Sequence, residues 1–213
     1  MKKDCGIIFD LDGTLWDSSY QVGIAWNTVF KRNGVDLELT PERMAVMMGR
    51  TVPEIGEALI PFIEPVRRAR ILDECCEEEN RLLNLYGGEV FPGVLELLPV
   101  LAEEYPLFIV SNCQDGYIQS FINFYGLSAQ IKDIECIGRT GLHKGDNIRL
   151  VVERGGLNKA VYVGDTERDG RAASEAGVPF IRAAYGFGGE FPAERAISSF
   201  YELPAIIESV FKE

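Results

Sequence analysis

The sequence predicts an α/β protein: a parallel sheet with helices on both faces, interrupted early by a purely helical insert. Three observations predict it. Short apolar runs without a polar break lie at residues 6–9, 106–110 and 160–163, and polar residues follow each. Such runs suit strands buried on both faces, the burial found in parallel sheets. From residue 91 onward, segments with helical spacing separate the strands, as right-handed crossovers require. Between positions 17 and 86, by contrast, there is no convincing strand pattern.

The elements follow in order. Gly6-Ile7-Ile8-Phe9 is the first strand, and Asp10-Leu11-Asp12-Gly13-Thr14-Leu15 leaves it. Asp17 and Ser18 suit a helix N-cap, and Val22, Ala25, Trp26, Val29 and Phe30 then recur at helical spacing until Gly34. Thr40-Pro41 opens a second helix and Val52-Pro53 a third. A fourth runs over 65–85, where Gly87-Gly88 stops it. Phe91-Pro92-Gly93-Val94 opens a helix to 104, and the strand over 106–110 ends in Ser111-Asn112. Next come a helix over 115–125, a strand over 134–137, and a helix over 146–154 with Asp146 as its N-cap. A strand over 160–163 ends in Gly164-Asp165-Thr166, and a helix to 176 and a strand over 179–181 complete the sheet. The result is a Rossmann-like core of residues 1–16 and 88–213, with a helical domain of residues 17–87 inserted after the first strand.

Composition excludes several function classes. The 213 residues carry a formal net charge of −12, from 21 basic and 33 acidic side chains. That balance argues against nucleic acid, whose binding depends on neutralising phosphates. An anionic ligand would need local cations to overcome the global field. Cys5, Cys75, Cys76, Cys113 and Cys136 show no metal-ligand spacing and are read as free thiols of a reducing cytoplasm. The apolar run after Lys2-Lys3 is too short for a signal peptide, and no stretch is long and apolar enough to span a membrane. The expectation is a cytoplasmic monomer or weak dimer with no membrane or nucleic-acid partner.

In parallel sheets, ligands bind beyond the carboxyl ends of the strands. Three of those ends carry polar residues: Asp10 with Asp12, Ser111 with Asn112, and Asp165. Alternation would put Asp10 and Asp12 on one side. Two like charges held that close need a cation, a shared proton, or both. With Asp165 and Asp169 added, the carboxylates favour a hard, oxygen-binding cation such as Mg²⁺. A single histidine and scattered cysteines disfavour zinc. Lys144 supplies a point charge, and Ser111 with nearby backbone N–H groups supplies donors for phosphoryl oxygens.

The order Asp-Leu-Asp-Gly-Thr-Leu at 10–15, apolar strand-Ser111-Asn112, Lys144, then Gly164-Asp165-Thr166 with Asp169, resembles the haloacid dehalogenase superfamily of phosphohydrolases. The resemblance covers essentially the whole chain. It is strongest to the phosphoglycolate phosphatase and β-phosphoglucomutase branch, and it makes the helical insert a type 1 cap. It implies that Asp10 is the nucleophile, forming an aspartyl-phosphate, and that Asp12 is the general acid and then the base. It implies Mg²⁺ on the Asp10 and Asp165 side chains and the Asp12 backbone carbonyl, with Asp169 one shell out. Lys144, Ser111 and Asn112 would hold the phosphate. The implied activity is that of a phosphatase for a small phosphorylated metabolite, phosphoglycolate- or sugar-phosphate-like. A phosphomutase of the β-phosphoglucomutase type is the alternative, and a phospho-accepting binding module without turnover is a third reading. One departure stands out: His143-Lys144-Gly145-Asp146 lacks the Lys-Pro common in this branch.

Weaker candidates complete the list. Arg50, between two insert helices, is positioned to meet a substrate's distal anion. Arg67, Arg68 and Arg70 are read as surface pairs with Glu74, Glu77 and Glu78 along one helix. His143 is read as a solvent-exposed loop residue, Trp16 as a pocket wall or hinge packing, and Cys113 as lacking a base partner. Closure of the insert should gate the reaction. Hinges are expected near 16–18 and 87–91, with Gly87-Gly88 the looser side.

Overall fold

A computed structural model describes residues 4–212, so Lys2-Lys3 lies outside the described residues. The first half of the chain holds β1 (Cys5–Phe9), β2 (Trp16–Asp17), α1 (Ser19–Arg32), α2 (Pro41–Ala45), α3 (Val52–Leu59), α4 (Pro65–Tyr86), β3 (Glu89–Val90) and α5 (Val94–Glu104). Then follow β4 (Leu107–Ser111), α6 (Tyr117–Tyr125), β5 (Ile131–Cys136), α7 (Ile137–Thr140), α8 (Lys144–Arg154) and β6 (Lys159–Gly164). Finally come α9 (Glu167–Ala176), β7 (Phe180–Ala183), β8 (Ala196–Ile197) and α10 (Leu203–Lys212).

The main sheet has the order β5-β4-β1-β6-β7-β8, and every neighbouring pair is parallel. Strand alternation sorts its side chains onto two faces. Ile7, Phe9, Ile109, Val161 and Val163 join a core with α5, α6 and α10, while Ile8, Phe108, Val110 and Tyr162 pack against α8 and α9. Ile7, Ile8 and Phe9 are fully buried, each contributing about 1.5–3 kcal/mol relative to exposure. The apolar faces of α1 and α4 continue the first core, so the helical insert and the sheet share one apolar interior.

Differences from the expected elements have local causes. β2 and β3 pair antiparallel where the chain enters and leaves the helical layer, Trp16 opposite Val90 and Asp17 opposite Glu89. Two-residue strands have no readable period, and the same holds for β8. β5 starts at Ile131, earlier than expected, because as an edge strand it carries Lys132 and Asp133 in its exposed part. Helix α8 starts at Lys144 with His143 as its N-cap, not Asp146. Asp146 sits in the first turn, paired with Arg149, where the helix dipole favours a carboxylate. Two of the arginines expected to pair along α4 reach other elements: Arg68 pairs with Glu57 of α3 at 3.3 Å, and Arg67 donates to the Asn33 carbonyl, while Glu78 does pair along the helix, with Arg81 at 2.6 Å. Glu74 accepts from Arg32 of α1 at 2.8 Å. Gly87 and Gly88, the expected hinge glycines, are closely surrounded. A Cβ on Gly87 would lie 2.5 Å from the Phe124 ring, and one on Gly88 would lie 2.8 Å from the Asp17 carbonyl. The backbone contact at Gly88 and a φ of +66° at Gly87 are what favour glycine there.

Candidate active site

The register brings the strand ends level. Phe9 lies opposite both Ile109 and Val163, so Asp10 emerges beside the last residues of β4 and β6. The Asp10 N–H donates to the Val163 carbonyl at 2.8 Å, which extends the ladder by one residue and fixes the carboxylate at the sheet edge. The chain then turns sharply through Gly13 at φ +77°. Any Cβ there would lie 2.2 Å from a carboxylate oxygen of Asp165, so Gly13 serves both the turn and the close approach.

Asp10, Asp165 and Asp169 offer carboxylate oxygens within 4.8 Å of one another, and all three residues are buried. Lys144 is the cation among them, 3.0 Å from Asp10 Oδ2 and 2.6 Å from Asp169 Oδ1. Asp169 is further held by Thr166, whose N–H and hydroxyl both donate to Oδ2 in a capping box that starts α9. Asp165 Oδ2 accepts the N–H groups of Phe187 at 2.7 Å and Gly188 at 3.1 Å. Asp10 Oδ1 and Asp165 Oδ1 are buried without a hydrogen-bond partner. Two orphaned oxygens, in a cluster of three carboxylates and one ammonium, fit a divalent cation.

Electrostatics agrees. Burial pushes the Asp10 carboxyl up to about 7, with Asp169 adding to it and Lys144 opposing. Burial raises Asp165 well above the usual carboxylate range, with Asp169 and Asp10 contributing. Burial also works against ionising Asp169, but Lys144 and Thr166 overcome it and hold that carboxyl low. For Lys144, burial disfavours the charge, yet Asp10 and Asp169 outweigh it and raise its pKa.

Asp12 lies outside the cluster of three and is set up differently. Its Oδ1 accepts from Trp16 Nε1 at 2.9 Å, Ser18 Oγ at 2.8 Å and Tyr117 Oη at 2.9 Å. Burial still pushes its carboxyl up to about 6 against those three donors. A carboxyl at that level can hold or release a proton near neutrality.

The remaining expected residues line the adjoining cleft. Ser111 is buried at the end of β4, and Asn112 Nδ2 donates to the Gly49 carbonyl at 3.0 Å. Asp12, Arg50, Ser111 and Asn112 all line a narrow cleft beneath the helical layer, with about 30 Å³ of free space. Arg50 is half-buried and is in no ion pair with a carboxylate among the described residues. His143 is exposed, as expected. Cys113 is buried, which holds its thiol well above its usual pKa. Trp16 turns out to be a donor to Asp12 as well as packing at the crossing. Sequence reasoning missed Ser18 and Tyr117 as donors to Asp12, Thr14 with its buried unpartnered hydroxyl, and Glu79 on the cleft wall. Thr14 stands inside the first motif without having been given a role, and Ser18, Tyr117 and Glu79 stand in no short motif. Only the closeness of Ser18 and Thr14 to Asp12 could have flagged two of them.

The chain is similar to known proteins. Residues 7–183 match the family model of the haloacid dehalogenase-like hydrolases. A 5'-nucleotidase of Pseudomonas aeruginosa is 28% identical over 189 residues, covering 86% of this chain and 84% of its own. A phosphoglycolate phosphatase of Rhodobacter capsulatus is 27% identical over 213 residues, covering 95% and 96%. Among solved structures, a haloacid dehalogenase-like family hydrolase from Streptococcus pneumoniae superposes with a TM-score of 0.80 at 22% identity, over 97% of this chain and 99% of that one. With its parallel sheet, its strand-end aspartates and a family match spanning most of its length, this chain belongs to the haloacid dehalogenase-like hydrolase family.

Proposed function

We propose that this hydrolase is a Mg²⁺-dependent phosphatase that cleaves a small phosphorylated metabolite through an aspartyl-phosphate on Asp10. One observation carries the reading: the two aspartates of the first motif occupy different environments. Asp10 joins Lys144, Asp165 and Asp169, whereas Asp12 is held by three donors at the cleft. The relatives named phosphoglycolate phosphatase and 5'-nucleotidase support a phosphate monoester as substrate.

The side chains divide the work. Asp10 attacks phosphorus as the bond to the leaving alcohol breaks, and Asp12 delivers a proton to that oxygen. Asp12, now ionised, takes a proton from the water that attacks the phosphorus and frees Asp10. Ser111, Asn112 and Lys144 hold the phosphoryl oxygens, and Lys144, fixed by Asp169, keeps Asp10 oriented. Asp10, Asp165 and the Asp12 carbonyl would hold Mg²⁺, with Asp169 one shell out. When bound, Mg²⁺ neutralises carboxylate charge and polarises a phosphoryl oxygen. Residues 17–87 act as a cap that keeps bulk water from the intermediate, and the β2–β3 ribbon is the neck on which it moves.

Two results are expected. Saturating Mg²⁺ should stabilise the protein by about 2.7 kcal/mol at a hundredfold excess over Kd, a rise of several degrees in Tm that EDTA reverses. Tyr117→Phe removes one donor that lowers the Asp12 pKa, so the alkaline limb of kcat/KM against pH should move upward. The proposal itself is tested by phosphate release from a panel of phosphorylated sugars, phosphoglycolate and nucleotides with Mg²⁺. No release from any of them would overturn it.

A further inference from the structure

Helix α4 carries a carboxylate for which the mechanism above has no use. Glu74 and Glu78 of the same helix pair with Arg32 and Arg81 at the surface, but Glu79 points inward and is only 4% exposed. It has no cationic partner among the described residues. Its Oε1 accepts from Trp26 Nε1 and its Oε2 from Gln114 Nε2, both neutral donors. A neutral amide could serve such donors at far lower desolvation cost. Burial pushes the Glu79 carboxyl up to about 8, with Asp12 adding to it. Each oxygen keeps a lone pair for a further donor, and the residue lines the same cleft as Asp12 and Arg50.

Besides Asp12, which the reaction uses, the cleft therefore offers one guanidinium and one carboxyl, neither in an ion pair among the described residues, to whatever occupies it. A cationic ligand would meet Arg50, and an anionic one would meet Glu79. Hydroxyl groups suit both, since a hydroxyl can accept from Arg50 or donate to Glu79. We propose that Glu79 determines specificity, selecting phosphoesters whose leaving alcohol carries a further hydroxyl group, as in a phosphorylated polyol or sugar. The inference rests on the phosphatase reading and narrows it to a substrate class.

The test compares kcat/KM, with Mg²⁺, for glycerol 1-phosphate, propyl phosphate and 2-phosphoglycolate. The first two share a carbon skeleton and differ in hydroxyls, and the third presents a carboxylate. The wild type should favour glycerol 1-phosphate over propyl phosphate by about tenfold to a hundredfold, mainly through KM. Glu79→Ala should bring that ratio close to one. Glu79→Gln should keep much of the hydroxyl preference while improving 2-phosphoglycolate relative to glycerol 1-phosphate. Each ratio is taken within one variant, so any loss of folded protein cancels. The inference is overturned if the wild type does not distinguish the first two esters, or if their ratio survives Glu79→Ala. Turnover with unchanged ratios removes this inference alone. No phosphate release from any ester removes the phosphatase reading, and this inference with it.

Discussion

Replacing Asp10 with asparagine is expected to lower phosphate release by about 10⁴-fold or more while making the metal-free protein more stable. The activity loss follows from the role proposed for Asp10, since an amide oxygen is a poor nucleophile toward phosphorus. The gain in stability follows from charge. Without metal, Asp10, Asp165 and Asp169 share the single ammonium of Lys144, and a neutral amide in place of the first would leave two carboxylates against it. The pH dependence has a definite sign. The Asp10 carboxyl moves from 3.8 to about 7 on folding, by burial and then by Asp169, against the pull of Lys144. Between those values the native chain holds a proton that the unfolded chain has released, so stability from this group falls as pH rises through the window. Chemical denaturation of metal-free protein at pH 5 and pH 8 should show a decline for the wild type and a smaller one for Asp10→Asn. Mg²⁺ should also stabilise the variant less than the wild type.

Lys144→Met should act in the opposite direction on stability. It removes the cation and leaves Asp10 and Asp169 buried without it, a change of the kind that costs about 3–5 kcal/mol. Methionine retains much of the packing volume, so the loss reports charge rather than a cavity. Activity should fall by about 10²–10³-fold or more, because Lys144 both orients Asp10 and offsets charge on the transferring phosphoryl group. Denaturation midpoints with and without Mg²⁺ would separate the two effects. Asp10→Asn and Lys144→Met thus shift metal-free stability in opposite senses, although both abolish most turnover. A site held together by packing alone would not produce that contrast.

Much of the fold could be read from the sequence because buried parallel strands leave unbroken apolar runs. Residues 6–9, 107–110 and 160–163 all fall in strands, and Thr40 and Ser18 stand at helix N-termini as expected. What escaped was short or set by distant contacts. β2, β3 and β8 have two residues each, too few for alternation to show. Helix α8 begins at Lys144 because His143 is its N-cap, which puts the lysine at the first helical position and within reach of Asp10 and Asp169. At the site, Asp10, Asp165, Asp169 and Lys144 could be found because each sits at or near a strand end or carries a motif residue. The environment that separates Asp12 from Asp10 could not. It depends on Tyr117, 105 residues away, and on Trp16 and Ser18 folding back over the carboxylate. Glu79 was hidden in an acidic helix whose other carboxylates are solvated, and no local pattern marks the one that faces inward.

Covalent phosphorylation of Asp10 is the most direct test of the mechanism. In an Asp12→Asn variant the base for the second step is missing, while p-nitrophenyl phosphate has a leaving group that needs little acid assistance. Acid quenching after mixing with Mg²⁺ and that ester, followed by mass spectrometry of the digested chain, should find one phosphoryl group on the peptide containing Asp10. Hydrolysis of the ester with no phosphoryl group on the chain, or with the group on another residue, would contradict a nucleophilic Asp10.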